Sequence, residues 1–200
     1  MMRSLTICLG IVLTITIIAV RSHPGEVEVS EEEDMTRVLF DFADTSEVKR
    51  WLIVNDDVMG GLSEGEASPT EDSCLLFSGS ISLENNGGFA SVRSRDTDFG
   101  LSGYAGIRLR VMGDGRLYQF RLRRDRNLDG VAFKREFQTI KNEWIEIELP
   151  FTSFLPTFRG RILTGIEPLD PADIRQLGFL IADKKAGAFA LTVDRIVAYE

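Results

Sequence analysis

Asp56 and Asp57 are the first side chains in this sequence that could do acid–base chemistry, because two carboxylates can divide the work of general acid and general base. Neighbouring residues in extended backbone point to opposite faces, so these two make a poor catalytic pair. The one histidine, His23, precedes the body of the chain. Cys74 lies in the apolar run Cys74-Leu75-Leu76-Phe77 and reads as a buried small hydrophobe. No Ser–His or Cys–His arrangement can be built, and no glycine-rich loop follows a strand and opens a helix. The expectation is a protein with no catalytic residues and no cofactor, and not an enzyme.

One segment spells a metal motif. Asp125-Arg126-Asn127-Leu128-Asp129-Gly130, followed by Glu136, satisfies the EF-hand loop pattern. Both flanks alternate with period two where helices are required, and Arg123, Arg124, Arg126, Lys134 and Arg135 crowd the loop with positive charge. A hairpin turn with Asp129-Gly130 at its tip accounts for the same letters, so no metal is expected.

What does recur is Asn or Asp beside a Gly-Gly pair. The stretch Asn55-Asp56-Asp57-Val58-Met59-Gly60-Gly61-Leu62-Ser63 is answered by Asn85-Asn86-Gly87-Gly88-Phe89-Ala90-Ser91. Glycine permits tight turns and close approach, and Asn and Asp bond to nearby backbone. These segments suit a recognition surface, with Asn55, Asp56, Met59, Gly60, Gly61, Ser63, Asn85, Asn86, Gly87, Gly88, Phe89 and Arg93 as its candidate residues. They suit equally well two turns that pack on each other and lock the fold. A third candidate surface is Phe158, Arg159 and Arg161, where aromatic and arginine residues adjoin chain breakers. Otherwise the segment from Phe151 to Arg161 would be a loop closing one end of the domain.

The elements that must carry these segments are strands. Val38–Phe42, Leu75–Leu83, Gly88–Ser94, Ile107–Val111, Leu117–Arg123, Ala132–Thr139, Trp144–Leu149, Leu177–Ala182 and Phe189–Tyr199 alternate or run apolar between turn signals. Two short helices are expected, at Thr45–Trp51 capped by Thr45 or Ser46, and at Pro171–Gln176 capped by Asp170. This pattern predicts an all-β sandwich or barrel, with the long strands from the two ends pairing as in a jelly roll. Alternation puts Arg108 and Arg110 on one face and Arg121 and Arg123 on one face; were those strands neighbours, the four would line a single stripe.

Composition sets the limits. Two hundred residues suffice for one domain. Residues 1–22 read as a signal peptide or an N-terminal anchor, with an apolar run too short for a full span; 23–36 is an acidic linker; 37–200 is the domain. Export from the cytoplasm is expected, with membrane contact only through an uncleaved N-terminal segment. The formal net charge of -8 argues against nucleic acid as a partner.

The Trp51–Ser63 stretch, the Phe77–Arg93 run, Trp144–Phe154, Thr157–Arg161 and Gly178–Ile181 leading to Asp194-Arg195-Ile196 resemble, in that order, the complex I intermediate-associated protein 30 family. The resemblance implies a galactose-binding-like jelly roll. It also implies a protein partner, a membrane or respiratory complex intermediate, since the mitochondrial members are non-enzymatic assembly factors of NADH:ubiquinone oxidoreductase. The same fold occurs in carbohydrate-binding modules. Tyr104, Tyr118 and Phe158 are the aromatics that such an alternative function would use.

Overall fold

Alternating apolar residues commit most of this chain to strands that each bury one face. A computed structural model describes residues 35–124 and 130–200. Its strands are β1 (Thr36–Phe40), β2 (Trp51–Asn55), β3 (Glu64–Pro69), β4 (Leu75–Ile81), β5 (Ala90–Ser94), β6 (Gly106–Gly113), β7 (Leu117–Arg123), β8 (Ala132–Gln138), β9 (Trp144–Pro150), β10 (Leu155–Phe158), β11 (Arg161–Ile162), β12 (Gln176–Ile181) and β13 (Gly187–Tyr199). One sheet runs β3-β4-β13-β6-β9, with β1 also on β13; the other runs β11-β10-β8-β7-β12-β5-β2. The architecture is a jelly-roll β-sandwich, every named pairing antiparallel.

The strands from the two ends do pair. β13 carries β4 beside its first half and β1 beside its last residues, Thr36 facing Tyr199, while β6 lines its other edge. In β6, Ile107, Leu109 and Val111 are fully buried and Arg108, Arg110 and Met112 face out; β7 likewise buries Tyr118, Phe120 and Leu122. Aromatic rings join the layers. Trp51 meets Phe40 at 5.1 Å and Phe179 at 5.9 Å between centroids, and Phe179 meets Phe120 at 5.1 Å. Such pairs add about 0.5–1.5 kcal/mol each beyond their area. Cys74 is free and buried, and burial pushes its thiol pKa up.

Several expectations change. β6 and β7 belong to different sheets, so Arg108 and Arg110 share no stripe with Arg121 and Arg123. The first pair is spent on Glu148 at 2.8 Å and Asp194 at 3.0 Å. The helices are 3₁₀ turns, Thr45–Arg50 and Pro171–Asp173. The first is capped by Asp44, whose carboxylate accepts from Ser46 N at 2.8 Å, and not by Thr45 or Ser46. Asp170 caps the second, as expected. The segment expected as a closing loop makes a 3₁₀ turn at Phe151–Ser153 and then the hairpin β10–β11, which carries the chain from one sheet to the edge of the other. Tyr118 is fully buried in the core and cannot stack on a sugar. β7 and β8 form the expected hairpin, but residues 125–129 at its tip, and the EF-hand-like letters there, lie outside the described residues.

Candidate functional site

β2 and β5 are antiparallel neighbours, and Asn55 at the end of β2 faces Ala90 at the start of β5. The chain leaving β2 and the chain entering β5 are therefore forced together. These are the two Gly-Gly segments. After β2 the backbone makes a 3₁₀ turn at Asp56–Met59 and ends it at Gly60, whose φ of 86° is left-handed. Before β5 it makes another at Glu84–Asn86, with Asn85 at φ 54°.

Asp56 ties the two turns. Its side chain is wholly buried, and its carboxylate takes the Ser63 amide at 2.9 Å, the Ser63 hydroxyl at 2.6 Å, the Gly88 amide at 2.6 Å and the Phe89 amide at 3.2 Å. The Ser63 hydroxyl in turn accepts from Ser82 N at 3.0 Å, which adds the end of β4 to the knot. Burial pushes the Asp56 carboxyl up, but the bonds from Ser63, Gly88 and Phe89 outweigh it and hold the pKa below the usual carboxylate value. The carboxylate is thus a charged staple between backbone segments.

The glycines are required by this staple. A Cβ on Gly61 would stand 2.3 Å from Asp56 Cγ, and one on Gly87 would stand 2.6 Å from Asp56 Oδ2. Only hydrogen fits at either place. Asp56, Gly61 and Ser63 are therefore interior residues, and their side chains belong to the locking of the two turns. Asp57 is exposed, so the two carboxylates do diverge.

The remaining sequence candidates divide between places. Asn55 is half-buried, with Oδ1 buried and unpartnered; Gly87, Gly88 and Phe89 are half-buried around the knot; Gly60 and Asn85 are exposed on it. Met59 and Asn86 belong to the two turns. Arg93 projects from β5 on the sheet face opposite the core. Phe158, Arg159 and Arg161 occupy the β10–β11 hairpin, near the other edge of the same sheet, where the Arg159 guanidinium lies 5.3 Å from the Phe158 ring centroid. Sequence reasoning missed Leu62 and Leu83. They are 56% and 48% exposed and adjoin the bonded residues Ser63 and Ser82, so both stand beside the knot. Their only signal in the sequence was adjacency to a serine.

Among the described residues no group of three or more His, Cys, Asp or Glu side chains could hold a metal ion, and no helix is long and apolar enough to cross a membrane.

A family model for complex I intermediate-associated protein 30 matches residues 40–193. The chain belongs to that family. The mouse (Mus musculus) mitochondrial complex I intermediate-associated protein 30 is 27% identical over 193 residues, covering 82% of this chain and 56% of the relative. The Drosophila melanogaster protein of the same description is 24% identical over 188 residues, covering 80% of this chain and 62% of the relative. The chain thus spans little more than half the length of the curated family members it matches. Among solved structures, the family 11 carbohydrate-binding module from Clostridium thermocellum, in complex with a β-1,3-1,4-mixed-linked tetrasaccharide, superposes with a TM-score of 0.61 at 19% identity, over 82% of this chain and 94% of that one. An agarase superposes with a TM-score of 0.56 at 12% identity, over 82% of this chain and 24% of that one. At such identities these likenesses establish the fold, and function must be argued from the sites.

Proposed function

We propose that this domain is a non-enzymatic, assembly-factor-like module that captures a protein partner, a subunit or intermediate of a membrane or respiratory complex. Family membership supports the role, since the relatives are named for association with complex I intermediates. The observation that carries the surface is the knot itself. Two loops held on one buried carboxylate form a rigid platform, and Leu62, Leu83, Gly60 and Asn85 are exposed on it. A platform ordered before binding loses little entropy on association, and exposed leucines beside glycine backbone let an apolar partner segment approach closely.

The test is capture from the protein's own membranes with tagged full-length chain, followed by mass spectrometry. Leu62→Asp with Leu83→Asp should lose the partner while the melting temperature stays within about 2 °C, as expected for exposed positions. Retained capture by the double variant would remove the platform from the binding surface. Sugar binding is the lesser reading: Tyr118 is buried, Tyr104 is half-buried with Arg37 5.4 Å over its ring, and Phe158 alone of the three is exposed. A glycan array gives the independent comparison.

Export through residues 1–22 stays part of the proposal, although the relatives carry "mitochondrial" in their names. N-terminal sequencing of the mature chain and fractionation decide it. A mature chain recovered from the mitochondrial matrix would replace export with import.

A further inference from the structure

A single cross-strand row runs over the outer face of the larger sheet. Leu52 of β2 faces Arg93 of β5, Arg93 faces Gly178 of β12, Gly178 faces Arg121 of β7, Arg121 faces Lys134 of β8, and Lys134 faces Leu155 of β10. Registered partners share a face, and the alternating neighbours Val92, Phe179, Phe120 and Phe133 fill the core, so the row lies on the side away from it. Gly178 has room for no side chain, because a Cβ would stand 2.7 Å from the Val92 carbonyl oxygen. The result is a cleft floored by Gly178 and walled by Arg93, Arg121, Arg123 and Gln176.

Three buried polar atoms at this face lack partners: Arg121 Nε, Gln119 Oε1 and Gln176 Oε1. The first is an orphaned donor on a cation and the other two are orphaned acceptors, on residues that register beside Leu180 and Arg123. Among the described residues no carboxylate pairs with Arg121. Lys134, beside it in the row, is bonded to Glu136 at 2.8 Å, and the like charges of Arg123 and Arg93 act on Arg121. Burial first, and then those like charges, pull its guanidinium down to about 10, so it remains a cation at neutral pH. Arg123 also donates to the Gly130 carbonyl at 2.9 Å, which holds one wall in place. Buried polar groups are normally satisfied, and a cation without a counter-charge in a chain this acidic is a vacancy for an anion.

The surroundings name the anion's carrier. Leu52 and Leu155 are 40% and 47% exposed at the two ends of the row. Neighbouring strands lie about 4.8 Å apart, so the row spans roughly 24 Å from end to end. No aromatic side chain occurs in it, which leaves a sugar ring nothing to stack on. The orphaned Gln oxygens call for N–H donors, which a polypeptide backbone supplies and a phosphate does not.

We propose that this face is a second binding site, for an extended acidic peptide of the partner, with one Asp or Glu carboxylate seated on Arg121 above Gly178 and apolar side chains on Leu52 and Leu155. The site rests on the reading of the domain as protein-binding and uses a surface separate from the Asp56 knot. The fork of Arg121 offers a carboxylate the bidentate geometry that lysine lacks.

The test uses full-length chain and two labelled peptides of about ten residues, Leu-rich at both ends, one with a central Glu-Glu and the other with Gln-Gln, followed by anisotropy. The Glu peptide should bind at least tenfold more tightly than the Gln peptide, with affinity falling as salt rises. Arg121→Gln should abolish the tenfold preference. Leu155→Asp, at an exposed position at the end of the row, should weaken the Glu peptide severalfold with melting temperature unchanged, which keeps the test valid if Arg121→Gln unfolds. Equal binding of both peptides, or tighter capture of inorganic phosphate or an oligoglucuronate than of the Glu peptide, overturns the proposal. Failure here with partner capture still lost in the Leu62→Asp, Leu83→Asp variant would spare the platform and remove only the cleft. Loss of Glu-peptide preference in Arg121→Gln with the platform variant still binding partner would do the reverse.

Discussion

Asp56 Oδ2 lies 2.6 Å from the amide nitrogen of Gly88, 32 positions further along the chain. The two recurring glycine segments are therefore one structural object, closed by a carboxylate that neither segment could satisfy alone. Its consequences are measurable.

Asp56→Asn places an amide NH₂ among N–H donors that need an acceptor, and Asp56→Ala leaves those donors buried and unpaired. Losing one partner of a buried charged network costs about 3–5 kcal/mol. In a domain of this size that corresponds to a fall in Tm on the order of 10 °C. Thermal and urea melts measure it, and a loss under about 1 kcal/mol would mean water reaches the knot.

The glycines separate by position. Gly60→Ala adds a methyl into open space and meets only the left-handed backbone penalty, about 1 kcal/mol. Gly61→Ala and Gly87→Ala drive a methyl into the Asp56 carboxylate and should cost more, roughly 2–3 kcal/mol. Urea midpoints of the three variants should therefore rank Gly60→Ala as the most stable.

Stability should carry an acid limb. The folded pKa values of Asp56 and Asp183 both lie below the usual value. A depressed carboxylate stabilises the fold fully above its unfolded pKa, about 3.9, and loses that contribution as pH falls through the lower folded value. The wild-type urea midpoint should be flat above about pH 5 and fall below about pH 4. Asp56→Asn should start lower and fall less steeply, and parallel curves would assign the limb to other groups.

Arg116, in the turn between β6 and β7, holds the turn between β12 and β13. It bonds Asp183 at 2.6 and 3.0 Å, the carbonyls of Gly187 and Ala188 at 3.1 and 2.9 Å, and the carbonyl of Lys185. The Asp183 hydrogen bond and charge raise its pKa despite burial. Arg116→Lys keeps the charge but loses the planar fork, and should cost about 2–4 kcal/mol with amide exchange at residues 183–188 accelerated first. Unchanged exchange there would show that the turn holds itself.

Most of the strand set was legible because it is written in alternation, but β2 was not: Trp51 was expected to end a helix, and the run Trp51–Val54 is apolar without alternating. Ile107 to Val111 and Leu117 to Arg123 each put apolar residues on one side, and burial alone turns that side inward. β3, with the sequence Glu-Gly-Glu-Ala-Ser-Pro, was not legible, since its place comes from backbone pairing with β4 rather than from an apolar face. β10 and β11 were hidden for a similar reason: they are short edge strands around a turn at Arg159 and Gly160.

The sequence by itself determined that this chain folds as an all-β sandwich, that its first and last strands pair, and that two Asn/Asp-Gly-Gly segments matter, because hydrophobic period and turn chemistry are local properties. Only the tertiary structure decided that Asp56 turns inward while Asp57 turns out, that the arginines of β6 and β7 serve opposite sheets, and that Arg93, Gly178 and Arg121 share one row. Those facts depend on which strands become neighbours and in what register. Register is chosen by the packing of the whole core, where residues far apart in sequence are weighed together.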